Sequence, residues 1–366
     1  MPLAARAVAA VVGGLVVLVT AGSVIGTLIV PRPSGSRLTN MVDVAVNWTF
    51  QLVASLIRDY ARRDRVLAGQ AAAILLCQLA AWLAFFFVGY ALLLWPFVSG
   101  GITAAFTAAG PGLWQIGSDV ARGAPERTII DFASLTGIVT VTLQIAYLPT
   151  LYSEFNRRET DIALLNARAG VPSWGPELLA RTHYALGSGV STIDTLPDLY
   201  AGWERWAADV AESHTTYIPL VRFRSPRPLS SWVTALLAVL DSAALILSLS
   251  PQNAPTVPAR LCLRSGFLCF RDVSRALGID VPDKPDASLG ISVSYQEFLD
   301  AVGRLHEVDF PIERNPAEAW PDFVGWRVNY EQAAYALAYA IDAVPALWSG
   351  PRRHMTKVIP PIRPPK

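Results

Sequence analysis

The segment from Gln70 to Val98 reads QAAAILLCQLAAWLAFFFVGYALLLWPFV and contains no charged side chain. A helix needs roughly 20 consecutive apolar residues to cross the hydrocarbon core of a bilayer, and this segment is long enough. Near its C-terminal end lie Trp95 and Pro96, an aromatic residue and a helix breaker of the kind found at membrane interfaces. The segment therefore predicts a transmembrane helix.

The composition of the chain indicates a membrane part followed by a soluble part. Of the 366 residues, 52% are hydrophobic and 16% are charged, and the mean hydropathy is +0.37. Soluble domains contain about 25% charged residues, so part of this chain avoids water. Between Val66 and Ala121 only Asp119 is charged, whereas residues 153–230 resemble a soluble protein in composition. The net charge of +1 provides no field that would attract nucleic acid.

Two further segments have the length and hydropathy of transmembrane helices. Ala7 to Val30 carries no charge, and we interpret it as a plain lipid anchor. The alternatives are a cleaved signal peptide, or a span that packs closely on another helix through Gly22 and Gly26. Thr128 to Tyr152 is the third predicted span, and its carboxylate, Asp131, lies near enough to the end to reach the headgroup region.

The distribution of arginines in the short loops predicts the orientation. Arginines are concentrated between the first two spans and sparse between the second and third. The positive-inside rule therefore places residues 31–69 and everything after 153 in the cytoplasm, and the loop at 99–127 outside. Within the predicted cytoplasmic segment 31–69, residues 41–65 have apolar side chains at helical spacing, and arginines follow at one end. This pattern favours an amphipathic helix at the membrane surface, with a helix packed on the soluble domain as the alternative.

The loop between the second and third spans is unusual for a loop exposed to water. Gly100 to Gly112 reads GGITAAFTAAGPG, which is small, uncharged and weakly hydrophobic. Uncharged non-helical backbone at membrane depth is tolerated only inside protein or beside a water-filled cavity. We therefore expect a short re-entrant helix from about Ile102 to Ala109, serving either a pore or a purely structural loop.

The residues after that helix resemble the pore loop of the two-span potassium-channel family, whose filter reads TVGYGD. The first three filter positions are matched here by QIG, and SD replaces the next two. The filter candidates are therefore Gln115, Ile116, Gly117, Ser118 and Asp119. One of the two filter glycines is missing, and glycine alone freely adopts the strained conformations that present a stack of carbonyls to potassium. We therefore do not predict potassium selectivity.

The third span extends the resemblance. Gly137 lies near the position where the inner helix of that family carries its gating glycine, and Pro149 can bend the same helix further along. The resemblance implies a cation pore, with Asp119 as an acidic ring and four copies of the chain around an axis. A non-conducting, membrane-tethered sensor or scaffold is the alternative.

The wider sequence resembles a group of bacterial membrane proteins with the same layout. The resemblance implies a multi-pass protein of the bacterial inner (plasma) membrane. It rests on four stretches: DRVLA (64–68), IAYLPTLYSEFNRRE (145–159), LLNARAGVPSWGPELLAR (164–181) and SPRPLSSWVTALLAVLD (225–241).

The part of the chain after residue 153 predicts a soluble domain of short helices separated by proline and glycine, because no alternating β-branched run is long enough for a sheet. Trp232 to Leu249 is apolar enough for a fourth span, but Asp241 in its middle would be costly in lipid. We predict a buried core helix there. The tryptophans of this domain favour core packing over a ligand pocket, and residues 351–366, basic and proline-rich, predict an extended or disordered tail.

No arrangement of side chains in the sequence predicts catalysis. The four histidines are not paired at zinc-ligand spacing, and His214 is best explained by interaction with a helix C-terminus. Arg222, Arg224 and Arg227 predict a solvated basic face. We therefore predict no enzymatic activity, no metal and no cofactor. The expected partners are the lipid bilayer, further copies of the chain and a monovalent cation, with no nucleic acid.

The sequence as a whole predicts an all-α membrane protein with three transmembrane helices, a re-entrant pore-like loop and an all-α cytoplasmic domain. The predicted function is that of an ion-channel-like protein, a cation channel gated by its cytoplasmic helices. The predicted segments are an N-terminal transmembrane helix (1–30), a cytoplasmic amphipathic linker helix (31–69), a two-span channel-like pore module (70–152) with the loop 99–127, a helical cytoplasmic domain (153–350) and a basic tail (351–366).

Overall fold

The computed structural model describes residues 3–30, 36–114, 123–184, 192–286, 290–353 and 357–363, and within these ranges all regular secondary structure is helical. The chain divides into two compact units. Unit 1 comprises Met1–Leu52 and Gly69–Ser153, and unit 2 comprises Val53–Ala68 and Glu154–Lys366. The all-helical prediction is confirmed for the described residues.

The described residues form α-helices along the whole chain. In order they are α1 (Leu3–Leu28), α2 (Arg37–Ser55), α3 (Tyr60–Ala68), α4 (Gln70–Leu94), α5 (Gly101–Trp114), α6 (Ala124–Ala169), α7 (Gly175–Tyr184), α8 (Leu196–Thr216), α9 (Trp232–Leu249), α10 (Thr256–Ala276), α11 (Tyr295–His306), α12 (Pro316–Arg327) and α13 (Glu331–Ala340). Short 3₁₀ helices occupy Thr192–Thr195 and Ile218–Arg222. The pattern of the sequence does not predict α12.

Four helical stretches are long and apolar enough to span a bilayer: Ala4–Leu28, Tyr60–Leu94, Ala124–Ala169 and Trp232–Leu249. The first two overlap the predicted spans Ala7–Val30 and Gln70–Val98, and the third contains the predicted span Thr128–Tyr152. In Trp232–Leu249, 94% of the most apolar 18-residue segment is buried within the protein. In the other three stretches, the buried share of the corresponding segment is 28% to 39%. A helix enclosed by its own domain faces no lipid, so α9 is the buried core helix that the sequence predicted. The other three stretches are the apolar helices expected of a membrane-spanning protein.

Unit 1 is held together by close contact between α1 and α4. A Cβ atom added to Gly13 would lie 2.6 Å from the carbonyl oxygen of Gly89, so the two backbones nearly touch. The indole Nε1 of Trp82, which is fully buried, donates a hydrogen bond of 3.0 Å to Ser23 Oγ. Membrane helices approach one another through such small residues. Among the described residues, no neighbouring atom lies within 4 Å of a Cβ placed at Gly22, so the structure shows no close approach of another helix at that glycine. The contacts of Gly13 and Trp82 make α1 a packed helix rather than a plain anchor.

The predicted amphipathic helix at 41–65 is divided into α2 and α3. One face of α2 remains apolar and exposed, as a helix at a membrane surface requires. Its exposed side chains are Met41, Val44, Trp48 and Leu52. In contrast, α3 packs within unit 2, where the Arg63 guanidinium lies 2.7 Å from the Asp342 carboxylate. The packing of α3 agrees with the alternative of a helix packed on the soluble domain, and a position of α2 at the membrane surface stays a prediction.

The core of unit 2 surrounds α9. The predicted packing of tryptophans into this core is confirmed for Trp174, Trp203, Trp206 and Trp232, which are all buried in it. Asp241, the carboxylate in the middle of α9, is paired with Arg327, whose guanidinium also donates to Glu331 at 2.6 Å. A buried charge is tolerated when it is paired and hydrogen-bonded. The ion pair therefore explains how an apolar core helix accommodates an aspartate.

The predicted solvated basic face after α8 is wrong for two of its three arginines. Arg222 is buried, and Arg224 is largely buried. Arg224 donates hydrogen bonds of 2.7 Å to the backbone carbonyls of Ile341 and Asp342 and pairs with the Asp64 carboxylate. It therefore joins α3 to the segment that follows α13 within unit 2.

Candidate pore module

A short apolar helix, α5, lies between the two span-length helices α4 and α6 in the chain. Its 14 residues rise by about 21 Å at 1.5 Å per residue, too little to cross a hydrocarbon core of about 30 Å. Gly100 and Gly101, with φ of +137° and +84°, turn the chain at the start of α5, and such positive φ angles favour glycine. The helix predicted from Ile102 to Ala109 is therefore present, and it is longer at both ends.

Small residues hold α5 inside unit 1. Ala105, Ala108 and Ala109 are buried in the unit's apolar core together with Leu113. The ring of Phe106 meets the ring of Phe87 on α4 edge to face, with centroids 5.4 Å apart. Alanine side chains permit close helix packing, so this face of α5 packs within unit 1, while Ile102 and Thr107 remain exposed.

Gly137, the predicted inner-helix glycine, lies where α6 meets the end of α5. A Cβ atom there would lie 2.5 Å from the carbonyl oxygen of Leu113, in the last turn of α5. Because that neighbour is backbone, any side chain at 137 would force α5 away from α6. The structure thus gives this glycine a packing role, and its role as a hinge stays a prediction.

Pro149 lies inside α6, which continues through it to Ala169. Proline removes one hydrogen bond from a helix interior, so this position can still bend the helix. The five filter candidates, Gln115, Ile116, Gly117, Ser118 and Asp119, lie outside the described residues. Helix α5 ends at Trp114, immediately before them.

Polar side chains that the sequence analysis did not single out lie within the span-length helices of unit 1. Tyr90 on α4 and Thr136 on α6 share a hydrogen bond of 2.7 Å. Gln78 on α4 and Gln144 on α6 are both buried, and neither side-chain oxygen has a hydrogen-bond partner in the part of the chain that the structure describes. Polar side chains inside a membrane-spanning bundle are costly and usually face the bundle interior or a water-filled cavity. Their signal in the sequence was a glutamine within each apolar run.

One face of α6 is left exposed in unit 1. Apart from Thr142, it is largely apolar between residues 132 and 145. Its large exposed side chains are Phe132, Leu135, Ile138, Val139 and Ile145. Such a face can meet lipid, another copy of the chain or a narrow aqueous path.

The part of α6 in unit 2 carries a buried arginine. Arg158 donates hydrogen bonds to Nε2 of His214 at 2.8 Å and to the carbonyl oxygens of Leu220 and Phe223 at 3.0 and 2.7 Å. Burial and the neighbouring Arg158 charge hold the pKa of His214 well below its ordinary value of 6.5. The histidine lies in the last turn of α8, as predicted, but the side chain that contacts it is an arginine.

Comparisons with known proteins identify no relative of this chain. No family model matches it, no curated protein matches its sequence, and no solved structure matches its fold. The function is therefore inferred from the residues and their geometry.

Proposed function

We propose that this chain is an ion-channel-like membrane protein, in which α4, α5 and α6 of several copies surround a path for cations. The observation that supports it best is the contact between Gly137 and the end of α5. There a helix too short to cross a bilayer ends against a span-length helix, immediately before an uncharged stretch that runs to Asp119. This is the layout of a two-span pore, in which a short helix supports the filter.

The number of copies follows from the same layout. One copy supplies only two long helices and one short helix to the module, which cannot enclose a path. Closed rings of identical subunits are the usual solution, and the resemblance of the filter candidates to the two-span channels implies four. The exposed face of α6, from Phe132 to Ile145, is then available to line the path, and its apolar side chains suit a gate that closes by excluding water.

The charge and polarity of the module favour a hydrated cation. Asp119 is the only charged residue between Val66 and Ala121, and a ring of such carboxylates attracts cations. The buried side-chain oxygens of Gln78 and Gln144 need a partner, which water at membrane depth would supply. The missing filter glycine argues against potassium selectivity. The positive-inside rule favours a cytoplasmic location for unit 2, from which we propose that it gates the path.

The first test is the native mass of the protein in nanodiscs of several lipid compositions, followed by cation uptake into liposomes. We expect a tetramer whose uptake is abolished by Gly117→Val and whose preference for cations over anions is reduced by Asp119→Asn. Gly22→Ala is the matched control, because its Cβ meets open space, and it should conduct like the unmodified chain. A monomer or dimer in every lipid, or a tetramer without uptake, would instead identify a non-conducting membrane sensor or scaffold.

A further inference from the structure

Residues 357–363, here called the tail segment, lie against unit 2 in an extended conformation. The backbone N–H of Ile359 donates to the carbonyl oxygen of Pro345 at 2.9 Å, and that of Ile362 donates to Val171 at 2.8 Å. These hydrogen bonds form isolated β-bridges, from Ile362 to Val171 and from Ile359 to Ala346. The described part of the tail is therefore extended, as predicted, but it is bound to the domain.

Pro361 and Arg363 make this contact selective for sequence, and a third contact holds the backbone between them. Pro361 is buried against Gly170, where an added Cβ would lie 2.6 Å from the Pro361 Cβ, so only glycine leaves room for the proline ring. The guanidinium of Arg181 donates to the carbonyl oxygen of Ile362 at 2.8 Å. Next to it, Nε of Arg363 donates to Oε2 of Glu177 at 3.0 Å.

Glu177 is an acceptor that does not depend on the tail segment. Its side chain is buried, and it also accepts hydrogen bonds of 2.8 Å from Arg181 and from Arg304. Burial alone would raise the pKa of Glu177, but the hydrogen bonds from Arg304 and Arg181 hold it below its ordinary value. The carboxylate therefore stays charged and in position when Arg363 leaves.

The tail segment itself is held by few contacts. Most of its side chains are exposed, including Val358 and Ile362, and Pro361 is its only buried residue among those described. Its attachment thus depends on two backbone hydrogen bonds, one hydrogen bond from the Arg181 side chain to the backbone, one proline and one arginine. A segment held in this way can exchange with solvent without unfolding the core of unit 2.

We infer that Gly170, Val171, Glu177, Arg181 and Pro345 form a binding site for an extended peptide in which proline is followed by an apolar residue and arginine. The tail segment is its resident ligand. Main-chain hydrogen bonds of this kind supply affinity, and pockets for particular side chains supply specificity. The site directly follows Ala169, the last residue of α6, so its occupancy holds the backbone at the end of that helix. The inference does not depend on ion conduction.

The test uses the full chain with a protease site inserted between Arg353 and Lys357 and cut only after folding. Once the released peptide has been removed, a fluorescent peptide with the sequence KVIPPIRPPK is added, and its anisotropy reports binding. We expect saturable binding to the cut protein and little binding to the uncut protein, whose site is occupied. The Arg363→Glu peptide should bind about tenfold more weakly or worse, because it loses a charge-assisted hydrogen bond and meets Glu177.

The Lys357→Ala peptide is the matched control, since Lys357 is exposed, and it should bind like the unmodified peptide. Equal binding of the Arg363→Glu and unmodified peptides would overturn the site. Retention of the cut peptide after dilution, detected by intact mass, would overturn its exchangeability. Both results are independent of liposome uptake, so they cannot be confused with a failure of the proposed channel.

Discussion

The guanidinium of Arg158 donates a hydrogen bond of 2.8 Å to Nε2 of His214, and both side chains are buried in unit 2. Since arginine can only donate, Nε2 must accept, and the imidazole proton is on Nδ1. Nδ1 lies 3.0 Å from Ser213 Oγ, and that hydroxyl donates onward to the carbonyl oxygen of Asp209 at 2.8 Å. The contact thus requires a neutral histidine beside a charged arginine.

This arrangement predicts that acid destabilises unit 2. Because the pKa of His214 is lower in the folded chain than the ordinary 6.5, the unfolded chain binds the proton first as pH falls. The contribution of His214 to the free energy of unfolding is complete above about pH 6.5 and is lost as pH falls towards the folded pKa. Unfolding midpoints measured between pH 5 and 8 should decline on the acid side.

His214→Gln should flatten this decline, because glutamine does not titrate and can still accept a hydrogen bond. His306→Gln is the control, since His306 is an exposed histidine on α11. An unchanged acid slope in His214→Gln would show that another group causes the decline.

The ion pair at the centre of unit 2 predicts a large loss of stability. Arg327→Met leaves the Asp241 carboxylate buried without its partner, and breaking a buried pair in this way typically costs about 3–5 kcal/mol. Arg205→Met removes an exposed arginine and should change the free energy of unfolding by less than about 0.5 kcal/mol. Chemical denaturation of the two variants measures the difference, and similar losses in both would contradict the role assigned to the pair.

Two adjacent arginines on α3 offer a matched test of its packing. Arg63 is fully buried against Asp342, whereas Arg62 is exposed. Arg63→Met should therefore lower the free energy of unfolding by about 3–5 kcal/mol, and Arg62→Met by less than about 0.5 kcal/mol. If the two variants unfold alike by circular dichroism, α3 is not anchored in unit 2 by this arginine.

The contact between α5 and α6 predicts opposite effects of alanine at two helical glycines. Alanine normally stabilises a helix by up to about 1 kcal/mol relative to glycine, and Gly22→Ala has space to do so. At Gly137 the added methyl group meets the backbone of Leu113, and such overpacking costs about 1–3 kcal/mol. Thermal unfolding in nanodiscs measures the stability of both variants. A stabilised Gly137→Ala protein would refute the close approach of α5 and α6 at Gly137.

Local properties of the sequence were sufficient to predict much of this fold. The three spans, the short helix α5 and the core helix α9 each follow from hydropathy and breakers within one window of about 20 residues. Asp241 correctly indicated that α9 is not exposed to lipid, because an unpaired carboxylate that faces hydrocarbon is costly. Gly137 was singled out by resemblance, and the structure supplies the contact that requires a glycine there.

The tertiary structure alone decided which residues of similar type are buried or in contact. Gly13, and not Gly22, meets another backbone, and Arg63, and not Arg62, is buried. The tail segment is bound through Gly170 and Glu177, far from it in the sequence. A glycine or arginine has the same local propensity in both environments, so its burial depends on a partner that only folding brings near. The sequence by itself therefore determined where the apolar helices lie, and the fold determined what each charge and each glycine contacts.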